Sequence, residues 1–244
     1  MPDALDAILL CGGAGLRLRS VIGDTPKGMA EVAGRPFLEV LLRQLRRYEF
    51  GRVILAVGYG MHVIRSRFGT DAFGMRLEYS VESSPLGTGG AVRQAADSVK
   101  SDSVLIMNGD SYTDVDLCRV VKDHRTSRAE ASVVVVPADG RSDCGTIRLG
   151  PDGRVITFEE KKGTADANYV NAGIYVVARR LLYDIPPGIQ VSIEREVFPR
   201  WLDEGYDIRA SVTLGRCVDI GTPERYQLAQ DLLQNTEATE GVAH

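Results

Sequence analysis

The chain lacks most features that would name a function at a glance. Its four cysteines, Cys11, Cys118, Cys144 and Cys217, stand far apart and form no Cys-x-x-Cys pair. That spacing argues against a zinc site or a disulfide framework and fits the reducing cytoplasm. No apolar run approaches the ~20 residues of a membrane span, and the N-terminus lacks a signal peptide's basic and apolar regions. Basic charge is not in excess: 29 Lys and Arg face 33 Asp and Glu, a net charge of −4. Nucleic acid and anionic membranes are therefore not expected partners, and any anion-binding charge must be local. No Gly-Lys-Ser or Gly-Lys-Thr occurs, which excludes a Walker A loop. What remains is an ordinary soluble composition, 44% hydrophobic and 25% charged, with 244 residues to build one large α/β domain or two small ones.

The most informative stretch is Leu9-Leu10-Cys11-Gly12-Gly13-Ala14-Gly15-Leu16-Arg17-Leu18, where an apolar strand runs into a glycine-rich turn. Glycines let a backbone approach a ligand closely and present its N–H groups. Arg17 and, shortly after, Lys27 add positive charge, so the segment reads as a pocket for a polyphosphate. The dinucleotide fingerprint fails, because Gly13-Ala14-Gly15-Leu16-Arg17-Leu18 ends in leucine and no strand-end acid follows ~20 residues on. A tight strand-to-helix turn without a ligand stays open on this loop alone. Cys11 reads as a small packing residue rather than a nucleophile, since no histidine lies near it in sequence.

Strand and helix alternate in the first half. Strands are expected at 4–10, 52–57, 76–81 and 103–108, and helices at 37–48, 61–68, 89–98 and 116–128. Phe37, Leu38, Leu41, Leu42 and Leu45 follow helical spacing behind Pro36. Nearly unbroken apolar strands imply a mostly parallel sheet covered on both faces, with ligands at the strands' carboxyl ends. The glycine loop, Glu82 and Asp110 all follow such strands and can meet on one rim. Beyond residue 129, strands are expected at 131–136, 144–149, 154–159 and 172–178, the middle two joined by the turn Gly150-Pro151-Asp152-Gly153. A helix is expected at 192–204, capped by Ser192 with Arg195 as an ion partner, and another after Thr222-Pro223. Residues 236–244 read as a polar disordered tail, and 1–235 as a single domain. No internal repeat or linker is visible.

Two acids stand out. Asp110 closes an apolar strand in Asn108-Gly109-Asp110, and Asp219 precedes a Pro-initiated helix in Asp219-Ile220-Gly221-Thr222-Pro223. Alone, the first is an ordinary turn aspartate and the second a helix-approach residue. Carboxylate oxygens also suit magnesium, which keeps several waters. Glu82, at a strand end before Pro85-Leu86-Gly87-Thr88-Gly89-Gly90-Ala91, is either a surface glutamate or a base reader. A carboxylate accepts in parallel from the N1–H and 2-amino donors of guanine, and pyrimidines offer no such edge.

In order and spacing, these motifs resemble the sugar-phosphate nucleotidyltransferase family. The matching segments are Gly12 to Leu18, Pro26-Lys27-Gly28-Met29, Val32-Ala33-Gly34-Arg35-Pro36, Asn108-Gly109-Asp110, Glu159-Glu160-Lys161, Asn171-Ala172-Gly173-Ile174-Tyr175 and Asp219 to Pro223. Leu16 stands where the family usually has threonine, and Cys144 where it has tyrosine before Gly145. The resemblance implies a Rossmann-like three-layer α/β/α fold with a mixed, mostly parallel sheet. It implies a nucleotide-binding half at about 1–128 and a sugar-phosphate half at 129–235. Arg17, Lys27 and Lys161 become the catalytic cations, and Leu10, Gly12, Gly13, Gly15, Glu82, Gly87 and Thr88 the nucleotide pocket. Gly145, Glu160 and Asn171 become sugar contacts, and Asp110 and Asp219 ligands of one Mg²⁺. The expected reaction joins a nucleoside triphosphate, GTP by the argument on Glu82, to a sugar 1-phosphate. The loop from Pro85 to Ala91 and the short chain are most similar to the family's D-glycero-D-manno-heptose 1-phosphate guanylyltransferase group. That brevity also leaves no appended β-helix to expect. A hexose 1-phosphate enzyme using another base, and a non-catalytic sugar-nucleotide sensor, are the alternatives. A homo-oligomer is left open.

Overall fold

A computed structural model describes residues 5–13, 15–138, 145–159 and 169–240, with side chains as far as Gln234 apart from that of Glu159. Strand β1 (Asp6–Leu10) enters the glycine turn, which leads through the 3-10 turn Leu16–Leu18 to helix α1 (Arg19–Ile22). A small hairpin, β2 (Glu31–Val32) and β3 (Arg35–Pro36), introduces α2 (Phe37–Arg47). Then come β4 (Arg52–Val57), α3 (Met61–Phe68), β5 (Asp71–Ala72), β6 (Met75–Val81), α4 (Gly87–Ala95), β7 (Ser103–Asn108), β8 (Ser111–Thr113) and α5 (Leu117–Ser127). The second half holds β9 (Ala131–Pro137), β10 (Thr146–Leu149), β11 (Val155–Glu159), β12 (Tyr169–Ala178), α6 (Arg179–Leu182), α7 (Phe198–Asp203), β13 (Ile208–Val212), β14 (Cys217–Asp219) and α8 (Pro223–Glu240).

Among the described residues one ten-stranded sheet carries the fold. Its centre is parallel: β6, β4, β1 and β7 lie side by side, with Leu9 opposite Leu55 on one side and Met107 on the other. Strand β12 then runs antiparallel to both β7 and β9, and β13 joins β9 in parallel. The hairpin β10–β11 pairs with the start of β12. The sheet is thus mixed, with its parallel part built from the first half of the chain, as the alternation predicts.

Side chains of a strand point alternately to its two faces, and the core divides accordingly. Ala7, Leu9, Val53, Leu55, Leu105 and Met107 pack under α2, through Phe37, Leu38, Leu41, Leu42 and Leu45, and under Ala229 and Leu233 of α8. Ile8, Ile54 and Ile106 face the other way, onto Ala91, Val92 and Ala95 of α4 and onto Phe198 and Trp201 of α7. Each fully buried leucine or isoleucine contributes roughly 1.5–3 kcal/mol. The sheet is held rigidly between two helical layers, so its carboxyl rim is a fixed platform.

Three expectations need correction. Helix α8 continues to Glu240, past the boundary set for the tail at 236, because no glycine or proline interrupts Asn235–Glu240. The segment after Ser192 is not one regular helix: Ile193–Val197 forms a π-helical turn before α7. Ser192 does cap it, its Oγ accepting the Arg195 N–H at 3.2 Å, and Glu196 accepts the Ser192 N–H at 2.8 Å. Helix α4 also starts at Gly87, two residues earlier than expected. Among the described residues no helix is long and apolar enough to cross a membrane.

Candidate active site

The carboxyl ends of β1, β4, β6 and β7 open onto a cleft of about 710 Å³. Leu10, Gly12 and Gly13 line it from the glycine turn, Lys27 from the 3-10 turn that follows, and Glu82, Gly87 and Asp110 from the neighbouring strand ends. Gly15 supports the loop from behind: its φ of +62° and the Cβ of Lys27 3.0 Å from where its own Cβ would stand leave no room for a side chain. Gly12 is bound to Glu82 in the same way, since a Cβ there would stand 2.6 Å from Glu82 Oε1. Glu82 Oε2 accepts the Leu86 N–H at 2.9 Å, which fixes the carboxylate on the cleft wall. Burial raises its pKa above the ordinary carboxylate value, with the Leu86 N–H opposing. Cys11 is buried below, and burial together with the charge of Asp110 pushes its thiol up to about 12. It stays protonated, consistent with packing and not with nucleophilic attack.

A second cleft of about 610 Å³ adjoins the first, and Thr88, Asn108 and Asp110 line both. Asp219 faces this second space, as do Arg17, Gly145, Asn171, Glu194 and Arg225. The two acids, distant in sequence, are brought together by a two-stranded ribbon. Strand β14 pairs antiparallel with β8, Asp219 opposite Ser111, and the Ile220 N–H donates to the Asp110 carbonyl at 2.9 Å.

Each carboxylate has its own cation. Lys27 Nζ lies 2.5 Å from Asp110 Oδ2, and Asp110 Oδ1 accepts from Ser111 Oγ at 3.0 Å. Burial pushes Asp110 up, but the charge and hydrogen bond of Lys27 more than offset it, so its carboxyl titrates below the usual value. Asp219 is paired with Arg225 and also accepts the Gly221 N–H at 2.7 Å. Burial, with the neighbouring charge of Asp110, raises Asp219. One acid is pushed down and the other up within a single site.

The donor set fits a hard divalent cation. Two carboxylates converge, and beside Asp110 the Oδ1 of Asn108 is buried without a hydrogen-bond partner. Among the described residues no group of three or more His, Cys, Asp or Glu side chains gathers. A divalent cation here would have two protein carboxylates to bind, a donor set compatible with magnesium, which keeps several waters.

The far wall of the second cleft is a hydrogen-bonded chain. Asn171 Nδ2 donates to Tyr175 OH at 2.6 Å, and that hydroxyl donates to Glu194 Oε1 at 3.3 Å. Thr88 Oγ1 donates to Glu194 Oε2 at 2.7 Å and accepts the Ile193 N–H at 2.9 Å. Thr88 thus fastens α4 to the segment after Ser192. Gly145 meets Asn171 through its carbonyl, which accepts the Asn171 N–H at 2.9 Å. Glu160 and Lys161 lie outside the described residues. Arg17, expected on the nucleotide phosphates, stands on the second cleft, its Nη2 3.5 Å from where a Cβ on Gly221 would be.

Sequence reasoning missed four participants. Asn108 ends a central parallel strand two residues before Asp110, a position that could have flagged it. Arg195 was read only as an ion partner of the helix cap, and Glu194, inside the expected helix, was not singled out. Arg225 lies six residues beyond Asp219 across a turn, and no periodicity links such a pair.

Fold and site together define a nucleotidyltransferase. Residues 6–236 match the model of the nucleotidyl transferase family, and the chain belongs to that family. The chain is 36% identical over 224 residues to the mannose-1-phosphate guanylyltransferase of Mycobacterium tuberculosis, covering 91% of this chain and 62% of that protein. It is 34% identical over 225 residues to the D-glycero-alpha-D-manno-heptose 1-phosphate guanylyltransferase of Campylobacter jejuni, covering 91% of this chain and 97% of that one. The crystal structure of HddC from Yersinia pseudotuberculosis complexed with GMP-PN superposes with a TM-score of 0.82 at 29% identity, covering 94% and 99% of the two chains.

Proposed function

We propose that the chain is a guanylyltransferase that converts GTP and a sugar 1-phosphate to a GDP-sugar and pyrophosphate. The observation that carries this reading is Asp110, which stands on the wall common to both clefts, salt-bridged to Lys27 and joined to Asp219 through the β8–β14 ribbon. The first cleft takes the nucleotide, and the second takes the sugar phosphate. Residues up to about 128 then supply the nucleotide half and those from 129 the sugar half. A phosphate oxygen of the sugar 1-phosphate attacks the α-phosphorus in line. The bond from the α-phosphorus to the bridging oxygen of the β-phosphate breaks, and pyrophosphate leaves with the electron pair.

The protein positions two anions that repel one another and neutralises their charge. Lys27 faces the α-phosphate from the first cleft. Arg17 reaches from the second cleft towards the leaving pyrophosphate, and Lys161 orients the attacking phosphate. Asp110 and Asp219 would hold a Mg²⁺ ion, which would supply further charge neutralisation at the phosphates. Backbone N–H groups of the glycine turn complete the phosphate cradle.

Glu82 selects the base. Its carboxylate faces the first cleft and accepts N1–H and the 2-amino group of guanine together. A pyrimidine edge would leave that half-buried charge against acceptors, which is unfavourable. The sugar is D-glycero-D-manno-heptose 1-phosphate, a reading supported by the loop from Pro85 to Ala91 and by the match along nearly the whole Campylobacter protein. Mannose 1-phosphate is the second reading, favoured by the identity to the mycobacterial protein. A cytoplasmic setting supplies GTP.

The test is a matrix of GTP, ATP, UTP, CTP and dTTP against heptose, mannose and glucose 1-phosphates, read by pyrophosphate release. Turnover with GTP and heptose 1-phosphate above all other pairs is expected. A pyrimidine preference overturns the base assignment, and a mannose preference the sugar. No release with any pair, alongside tight binding of a GDP-sugar, would establish a non-catalytic sensor instead.

A further inference from the structure

The cations around Asp219 form a pattern that two metal-binding carboxylates do not need. Arg17 Nη2 and Lys27 Nζ lie 3.5 and 3.7 Å from the Cβ position of Gly221, and Arg225 pairs directly with Asp219 Oδ2. Three cations therefore face the two carboxylates Asp110 and Asp219. Lys27 already neutralises Asp110. Arg225 does the same for Asp219, and a guanidinium cannot shed its charge. A divalent cation that takes Asp219 must displace Arg225 or share the carboxylate with it.

Arg225 is also held in place. It sits in the first turn of α8, where its N–H donates to Thr222 Oγ1 at 3.4 Å. One turn on, Gln230 Nε2 donates to the Glu31 carbonyl at 2.7 Å and its Oε1 accepts the Ala33 N–H at 2.8 Å, tying α8 to the β2–β3 hairpin. These bonds hold the start of α8 against the site, so a change of partner would fall to the Arg225 side chain. Its guanidinium lines the second cleft. The planar fork that binds a carboxylate binds a phosphate equally well.

We propose that Arg225 is a positioning residue that exchanges Asp219 for the phosphate of the second substrate. Until that anion arrives, it competes with the divalent cation for Asp219. Once the anion is present, Arg225 turns to it and Asp219 is released to the metal. Metal and sugar phosphate thus bind cooperatively, each strengthening the other by the same factor. This rests on the reading of Asp110 and Asp219 as the metal ligands given above.

The probe is Mn²⁺, titrated onto the purified enzyme without nucleotide and followed by the electron paramagnetic resonance of free Mn²⁺, with and without mannose 1-phosphate. Wild type is expected to bind Mn²⁺ roughly tenfold more tightly when the sugar phosphate is present. Arg225→Met should bind Mn²⁺ roughly tenfold more tightly than wild type without the sugar phosphate, and should gain nothing when it is added. Arg225→Lys should restore much of the coupling. Asp219→Asn separates the two readings. If it abolishes Mn²⁺ binding while Arg225→Met matches wild type in both conditions, the exchange is wrong and the metal assignment stands. If Asp219→Asn binds Mn²⁺ like wild type, the metal assignment itself falls, and this proposal with it.

Discussion

Lys27 Nζ and Asp110 Oδ2 are 2.5 Å apart on the wall of the first cleft, joining the segment after the glycine turn to the residues just beyond β7. The Lys27 side chain is largely enclosed, 12% exposed, while Asp110 opens to the ligand space. The lysine is therefore a positive charge held at a set position on the first cleft.

Lys27→Ala should lower kcat by about 10²–10³-fold, the usual cost of removing one preorganised charge from a phosphate or oxyanion site. The fold should persist, since the pair lies at a cleft and not in either core. Pyrophosphate release and circular dichroism measured together check this. Near-normal release from a folded Lys27→Ala enzyme would remove Lys27 from the mechanism.

Glu82 gives a prediction about the base that needs no knowledge of the sugar. Inosine keeps N1–H but lacks the 2-amino donor. If Glu82 accepts both donors of guanine, wild type should prefer GTP over ITP by roughly 10–100-fold in kcat/KM, the worth of one hydrogen bond to a charged group. Glu82→Gln should lose most of that preference. Equal GTP-to-ITP ratios in the two enzymes would show that the carboxylate does not read the base.

Gly12 is tied to the same residue by contact. A methyl group at Gly12 would stand 2.6 Å from Glu82 Oε1, too close for either to stay. Gly12→Ala should therefore raise KM for GTP and weaken guanine selectivity with little loss of thermal stability. Because both changes act through one carboxylate, the double variant with Glu82→Gln should fall well short of the summed single effects. Full additivity of the two in kcat/KM would uncouple the glycine from the base pocket.

The central strands and α2 were legible because each declares its own environment. Leu9 and Ile8 alternate between the two faces, and Phe37 to Leu45 keep a helical stripe, so burial imposes one period on each segment. The strands Ser111–Thr113 and Cys217–Asp219 were not legible. They have three residues apiece and exist because they pair with each other, a relation between segments that no local pattern encodes. The same limit governed the site. Gly12, Lys27 and Asp110 follow strands or turns that announce themselves. The pairing of Asp219 with Arg225, and the chain from Asn171 through Tyr175 and Glu194 to Thr88, arise only after folding. Arg17 shows the converse: its identity was readable from the loop, but the cleft it faces was not.

His124 makes stability depend on pH away from the site. It lies buried in α5, its Nδ1 2.9 Å from Ser132 Oγ and its Nε2 3.5 Å from Ser103 Oγ, with no acid among these partners. Burial first, and the charge of Arg125 second, lower its pKa from 6.5 to about 4. Between those values the unfolded chain binds a proton that the native imidazole refuses. Stability from this group is thus fully present above the unfolded value and is lost as pH falls from 6.5 towards 4. At ~1.4 kcal/mol per unit, the loss between about pH 6.5 and pH 5 is on the order of 2 kcal/mol. Urea unfolding across that interval should show the midpoint falling in wild type. His124→Gln, which cannot take the proton, should start less stable and lose less over the same range. If the two proteins lose stability in parallel, the acid sensitivity belongs to other groups.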